Sequence, residues 1–265
     1  MVDSSSPRRV AVTGGAGYLG ALTSRHLKGK GNRVRSLDVR SPADPAAADE
    51  ARQVDLGDFE GVKAALADID LVIHLGASLA EDEWAPILNA NIVGSYNVFE
   101  SARQLGIPRV IYASSHHVSG MYRTTEVVDT KAPTRPDSLY GLSKTFAEQL
   151  AQYYWDKYGI ESAGLRIGSA RPQPEQAREH FTWLSEPDYC RLIDACIATV
   201  RIEHTLVWGI SDNHGAWWSN ALASHLGYAP KDGAAPLDRP ASSAEAASLA
   251  YQGGKRALLG LKSKP

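Results

Sequence analysis

The sequence predicts an α/β protein: a doubly wound, mainly parallel sheet with a small C-terminal lobe covering one end. Three observations predict it. Short apolar runs alternate with longer segments of helical periodicity through the first 167 residues. A glycine-rich turn, Thr13-Gly14-Gly15-Ala16-Gly17-Tyr18-Leu19-Gly20, separates the first apolar run from the first helical segment. From Gly168 onward the chain is richer in Pro, Trp and polar residues, and its periodic segments shorten. Strand-helix-strand alternation favours a parallel sheet, because each crossover helix covers a sheet face.

The elements follow in chain order. Arg9 to Val12 reads as the first strand and Tyr18 to Lys28 as the first helix. Arg33 to Leu37 is the second strand, Gln53 to Val54 a short third, and Leu71 to His74 the fourth. Apolar residues at helical spacing predict a long helix from Trp84 to Leu105. Arg109 to Ala113 is the next strand, bounded by Pro108 and Ser114-Ser115. A helix over Leu139 to Tyr158 stops before Gly159, and Ser162 to Ile167 is again a strand. The remainder predicts a helix from Glu186 to Thr199, a strand from Thr205 to Trp208 and a helix from Trp217 to Leu226. The expected division is a nucleotide-binding domain over 1–167 and a substrate-covering lobe over 168–265. The lobe is too small and too weakly periodic to fold alone.

Composition bounds the function. The chain has 265 residues, enough to bury a substantial core. A formal net charge of -2 leaves no basic excess to attract nucleic acid or anionic lipid. Hydrophobic content of 43% and charged content of 22% are those of a globular protein in water. No apolar run reaches the ~18 residues of a membrane span. Met1 to Arg9 lacks the apolar stretch of a secretory signal. The two cysteines, Cys190 and Cys196, have neither zinc nor redox spacing and read as packed thiols. The expected address is the cytoplasm, with no metal, and the expected assembly is a homo-oligomer.

The glycine-rich turn has a chemical reading. Gly14, Gly17 and Gly20 allow a tight turn, close backbone approach to a pyrophosphate and close helix packing. Tyr18 and Leu19 then open a helix whose free N–H groups face the phosphates. Asp38 ends the second strand, 18 residues after Gly20, where a carboxylate can accept hydrogen bonds from a ribose diol. Together these describe a Rossmann-type dinucleotide site. A carboxylate there repels a 2′-phosphate, which favours NAD over NADP, although Arg40 stands two residues on. Asp55 and Leu56 are placed beside the adenine, or are an ordinary loop acid and a packed leucine.

The second constellation is Tyr140 and Lys144 at the head of a helix. Residues i and i+4 share a face, so phenol and ammonium point into one site. A free tyrosine has a pKa near ~10. A neighbouring lysine cation and the nicotinamide charge favour phenolate and make Tyr140 a base for an alcohol proton. Lys144 is also placed to bind the nicotinamide ribose. Tyr-x-x-x-Lys alone is common by chance. Ser115 adds weight, because it follows a strand where open α/β sheets place ligands, and it can donate to the reacting oxygen. Asn91, on the long helix, is suited to hold a backbone group or water beside Lys144, or is structural.

The glycine turn, Asp38, Asn91, Ser115 and the Tyr140/Lys144 pair together resemble the extended branch of the short-chain dehydrogenase/reductase superfamily. The resemblance implies the fold, the nucleotide and the Ser-Tyr-Lys roles. His74-Leu75-Gly76, Ser114-Ser115-His116-His117, Arg166-Ile167-Gly168-Ser169 and Thr182-Trp183-Leu184-Ser185 narrow it. So do Val207-Trp208-Gly209, Trp217-Trp218-Ser219-Asn220 and Leu226-Gly227-Tyr228-Ala229-Pro230-Lys231-Asp232. These segments are similar to the uronate dehydrogenase family. That family oxidises the C1 hydroxyl of a hexuronic acid, glucuronate or galacturonate, to an aldarolactone with NAD. The resemblance implies Tyr140 as base, Ser115 and Ser169 as substrate contacts, and Arg178 as the carboxylate-binding cation. A guanidinium fork fits a carboxylate in bidentate fashion; the plain alternative is a solvated loop arginine.

Two positions depart from the family. His116 stands where the family has an asparagine, and Ser78 lies one position early, with Leu79 in the straight alignment. His117 reads either as a contact near C2 or C3 or as a packed histidine. Trp208, Trp217 and Trp218 either stack on a sugar or pack in the core. Two other functions fit the same fold: a sugar epimerase or dehydratase that returns the hydride within a turnover, and a nucleotide redox sensor. A dehydrogenase of another sugar or sugar acid is a third reading.

Overall fold

In the computed structural model, which describes residues 7–79, 83–236, 239 and 241–260, seven strands pair side by side and all are parallel. In chain order they are β1 (Arg9–Thr13), β2 (Arg33–Asp38), β3 (Glu50–Gln53), β4 (Leu71–His74), β5 (Arg109–Ser115), β6 (Glu161–Ile167) and a last strand, His204–Gly209. The spatial order is β3-β2-β1-β4-β5-β6 and then the last strand. The chain winds outward one way from β1 to β3, then crosses back to β4. That reversal opens a crevice between β1 and β4 at the carboxyl ends of the strands.

The period of two in each strand fills both faces. Val10, Val12, Leu71, Ile73 and Ile111 face one way and are buried against Leu27 of α1 (Tyr18–Gly29) and Tyr189, Leu192, Ile193 and Cys196. Ala11, Val72, Val110 and Tyr112 face the other way. There they meet α2 (Phe59–Ala65) and two long helices, Gly94–Leu105 and Leu139–Tyr158. Both long helices end on a glycine with positive φ, Gly106 at 71° and Gly159 at 68°, a conformation that releases the chain without Cβ strain.

Four sequence expectations change. The third strand is Glu50–Gln53 and ends where Gln53 to Val54 was expected to begin. The long helix is α3 (Trp84–Ile87), a π turn over Leu88–Val93, and α4 (Gly94–Leu105). A π segment of six residues is too short to show a period of its own in the sequence. The helix expected over Trp217 to Leu226 shrinks to a 3-10 turn at Ala221–Leu226. Trp217 and Trp218 instead run extended beside Val128, whose N–H donates to the Trp217 carbonyl at 2.9 Å. Extended backbone sends the two indoles apart: Trp217 stacks on Phe181 at 5.2 Å and Trp218 on Trp208 at 4.7 Å. Last, the 5-residue reading of β5 lengthens to include Ser114 and Ser115.

After α5 (Leu139–Tyr158) and β6, the chain forms a two-stranded sheet from β7 (Ser169–Ala170) and β8 (Trp183–Leu184), with α6 (Glu179–Thr182) between them. Then come α7 (Glu186–Ala198) and β9 (His204–Gly209), and α8 (Ser243–Ser248) follows near the end. Residues beyond 167 thus supply an edge strand of the main sheet and part of its core. The two thiols are free, and Cys196 is buried.

Candidate active site

A cavity of about 730 Å³ runs along the carboxyl ends of β1, β2, β4, β5 and β6. Gly14, Gly17, Tyr18, Leu19, Gly20, Asp38, Asp55 and Leu56 line one end. Ser78, Ser115, His116, His117, Tyr140 and Lys144 line the other. The structure therefore brings the two constellations into one space.

Backbone shape makes the first end. Gly14 holds φ at 68°, and a Cβ there would fall 2.7 Å from the Gly76 nitrogen. A Cβ at residue 20 would fall 2.1 Å from the Gly14 carbonyl oxygen. Only glycine fits both places. Gly17 caps α1 with no side-chain hydrogen bond, so the helix presents its own N–H groups. Thr13 fixes the neighbouring loop: its hydroxyl accepts from the Gly76 N–H at 3.1 Å and meets His74 Nδ1 at 2.7 Å. Burial holds His74 down to about 3, so it is neutral there.

Asp38 accepts from the Ala16 N–H at 3.1 Å and the Arg40 N–H at 3.0 Å. Arg40 Nε lies 3.5 Å from the same carboxylate, and its side chain is mostly exposed. The arginine thus sits on the acid rather than opposing it. Asp55 accepts from Gly57 and from Asn89, so it also shapes its own loop. The Leu56 carbonyl is held by Asn97 at 2.7 Å.

Side chains make the second end. The Ser138 hydroxyl caps α5 by accepting from the Gly141 N–H at 3.0 Å. The first turn then presents Tyr140 and Lys144, with the ammonium 5.6 Å from the phenol centroid. Ser115, at the tip of β5, hydrogen-bonds Tyr140 and accepts from the His117 N–H. Burial pushes the Tyr140 phenol up; the Ser115 hydrogen bond and the Arg256 charge partly offset this. Burial brings Lys144 down to about 8. Desolvation sets the direction at Tyr140, so the phenolate expected from Lys144 and the nicotinamide charge together depends on the nicotinamide part.

Asn91 lies in the π turn and is buried. It bridges the Ser78 backbone, accepting from its N–H at 2.7 Å and donating to its carbonyl at 3.0 Å. It also donates to the Ser143 hydroxyl at 2.9 Å, one residue before Lys144. The backbone it holds is thus that of Ser78, a loop residue lining the cavity.

His116 meets the Ile167 carbonyl through Nδ1 at 2.9 Å, and its Nε2 has no hydrogen-bond partner among the described residues. A carbonyl only accepts, so Nδ1 carries the proton and Nε2 is an acceptor. His117 pairs with Asp137 at 2.7 Å and presents its ring edge-on to Tyr140. Burial holds both imidazoles toward the neutral form and raises Asp137.

Ser169 and Arg178 stand just outside the lining. Ser169 meets the Thr182 hydroxyl at 2.9 Å, and Arg178 reaches the same hydroxyl at 3.5 Å. Arg178 Nε donates to the Gln252 carbonyl at 3.1 Å. Burial brings its guanidinium down to about 10. It is no solvated loop arginine. The three tryptophans are core: Trp208, Trp217 and Trp218 are at most 6% exposed and none lines the cavity. Sequence reasoning missed Asp137 and Arg256. Asp137 sits immediately before the Ser138 cap, a weak signal; Arg256 carries none.

Comparison with known proteins fits this geometry. Residues 10–181 match the NAD dependent epimerase/dehydratase family. The chain is 44% identical to a uronate dehydrogenase from Pseudomonas putida over 259 residues, covering 95% of this chain and 96% of that one. A glucuronic acid dehydrogenase from Chromohalobacter salexigens superposes with a TM-score of 0.89 at 39% identity, covering 96% and 98% of the two chains. A mutant uronate dehydrogenase from Agrobacterium tumefaciens, solved in complex with NAD, gives 0.88 at 37% identity, covering 98% and 100%.

Proposed function

The chain belongs to the NAD dependent epimerase/dehydratase family, and we propose that within it this protein is an NAD-dependent dehydrogenase of hexuronic acids. It oxidises the C1 hydroxyl of glucuronate or galacturonate to the aldarolactone. The observation that carries this is the shared cavity: a glycine cradle and Asp38 at one end, Tyr140, Lys144 and Ser115 at the other. The uronate dehydrogenases at 41% to 44% identity support the substrate class.

The residues fit a dinucleotide. Gly14, Gly17 and Gly20 leave room for a pyrophosphate, the helix amides of Tyr18 and Leu19 face it, and Asp38 receives the ribose diol. Asp55 and Leu56 would border the adenine, and Lys144 would hold the second ribose. Bound NAD supplies the hydride acceptor.

The rest of the chemistry belongs to the chain. Ser115 holds the C1 oxygen while Tyr140, as the phenolate that Lys144 and the positive charge of bound NAD would favour, takes the hydroxyl proton; the C1 hydrogen leaves as hydride with its electron pair, and C1 becomes the lactone carbonyl. Ser78, His116 and His117 meet the sugar hydroxyls. His116 selects an O–H donor through its bare Nε2. Asn91 positions Ser78 and the α5 turn. Arg178 takes the substrate carboxylate and Ser169 helps hold the same substrate; both reach the Thr182 hydroxyl, which supports a shared position.

Residues 168–265 serve as the substrate side of the fold rather than as a separate folding unit; β9, an edge strand of the main sheet, supports this. Among the described residues no helix is long and apolar enough to cross a membrane. We place the enzyme in the cytoplasm, which its free thiols support. Exposed Tyr96, Leu142, Phe146 and Tyr153 on α4 and α5 support a homo-oligomer.

The test is NADH absorbance with purified protein, NAD and a panel of glucuronate, galacturonate, glucose and galactose. Net NADH with the uronates, well above the neutral sugars, is expected. No NADH with any sugar, together with tightly held nucleotide, overturns the reading in favour of an internal redox cycle.

A further inference from the structure

The catalytic end of the cavity is assembled from two elements. Ser115 ends β5, and His117 lies in the 3-10 turn His116–Ser119 that follows it. Tyr140 and Lys144 stand at the head of α5. One side chain, Asp137, spans the two. It is fully buried, and each of its oxygens has its own partner. Oδ2 meets His117 Nδ1 at 2.7 Å. Oδ1 accepts from the Ser138 hydroxyl at 2.8 Å, the same hydroxyl that accepts from the Gly141 N–H and caps α5.

The space around this carboxylate is shaped for it. A Cβ at Gly120, or at Gly253 in the C-terminal strap over Tyr251 to Gly254, would strike the oxygen that meets His117. The Gly253 N–H donates to the Gly120 carbonyl at 2.9 Å, which ties the strap to the loop on that side. The His117 carbonyl is as closely packed: a Cβ at Gly141 would fall 2.5 Å from it. The imidazole therefore has one place to go, with its Nδ1 on Asp137.

That pairing decides which nitrogen of His117 carries the proton. A neutral imidazole has one donor and one acceptor, and the bond made by one nitrogen sets the role of the other. A carboxylate only accepts, so Nδ1 carries the hydrogen. Nε2 is left as an acceptor on a ring that lines the cavity. Burial raises Asp137, while the Ser138 hydrogen bond and the Arg256 and Arg178 charges oppose that rise and favour the carboxylate. An Asp137 that kept its proton would donate to Nδ1 and turn Nε2 into a donor.

We infer that Asp137 is a positioning residue that locks His117 in the Nδ1–H tautomer, so that Nε2 accepts a hydrogen bond from a substrate hydroxyl. The owner of that hydroxyl rests on the uronate reading above; the tautomer rests on Asp137 alone. The wrong tautomer would set two donors against each other in a closed site, which costs more than losing one bond.

Nitrogen NMR of the histidines reads the tautomer directly, with the His117 signal identified by its loss in His117→Phe. In the substrate-free wild type His117 should be protonated at Nδ1 and bare at Nε2. Protonation at Nε2 there overturns the proposal, whatever the substrate proves to be. The isosteric Asp137→Asn variant tests the coupling. The Ser138 hydroxyl already accepts from Gly141, so it donates to the new amide oxygen and leaves the amide N–H groups facing His117. His117 should then carry its proton on Nε2. The KM for glucuronate should rise about ten- to hundredfold, with kcat little changed and NAD affinity as in wild type. A wild-type KM in Asp137→Asn overturns the proposal. So does a fall in kcat with KM unchanged, which would assign Asp137 to the Tyr140 turn instead. In a His117→Phe background, Asp137→Asn should add no further loss on glucuronate; additive losses overturn the route through His117. A wild type that makes no NADH with any uronate fails differently: it removes the uronate reading and leaves the His117 signal to decide the tautomer.

Discussion

The nucleotide end of the cavity is drawn from residues 14 to 56, and backbone does much of its work. The catalytic end is drawn from Ser78, Ser115 to His117, Tyr140, Lys144 and Arg256, and side chains make it. One end is a glycine turn after β1, with the loops after β2 and β3 beside it. The other is an assembly whose members meet only when the whole sheet and the C-terminal strap are in place. The difference teaches where tolerance lies. Backbone contacts to phosphate constrain which residues can be glycine, whereas side-chain contacts to a sugar change one residue at a time. His116 is of the second kind.

If the two ends are separable, a change at one should leave the other intact. The largest effect is expected for Tyr140→Phe. It removes the base but not the ring that packs against His117. Turnover should fall by about two to four orders of magnitude, with NAD affinity close to wild type by calorimetry. Near-normal turnover would take Tyr140 out of the mechanism. A parallel loss of NAD affinity would show that the two ends are not separable.

A smaller effect is expected for Asp38→Ala. The carboxylate that receives the ribose diol is also the acceptor for the Ala16 and Arg40 amides. Its loss should cost about 1.5–3 kcal/mol of NAD affinity and improve NADP relative to NAD, as Arg40 loses its partner. The KM for glucuronate should stay within about twofold if each end binds its own ligand. Equal use of NAD and NADP by the wild type would hand cofactor choice to Arg40 instead.

The same contrast explains what the sequence disclosed. The glycine turn and Asp38 were legible because strand, turn and helix are consecutive and each glycine has a geometric duty. Tyr140 and Lys144 were legible because i and i+4 share a helix face. Asn91 was found as a residue but not as a π turn, since a single six-residue turn is too short to show a period of its own. Trp217 and Trp218 misled because two adjacent aromatics before a leucine mimic helical spacing; the partner that straightens them, Val128, lies 90 residues earlier. Arg256 carried no local signal at all. Its place depends on Gln252 meeting Arg178 and Glu126, contacts 74 and 126 residues apart in the chain.

The central claim is that the two ends meet at one carbon: hydride leaves C1 of a uronate for NAD while its hydroxyl proton goes to Tyr140. Glucuronate labelled with deuterium at C1 tests this directly. NADH isolated after turnover should carry one deuterium per molecule formed, the lactone should carry none at C1, and the Tyr140→Phe variant should transfer the same label at a much lower rate. Unlabelled NADH, or label returned to a sugar with no net NADH, would contradict it.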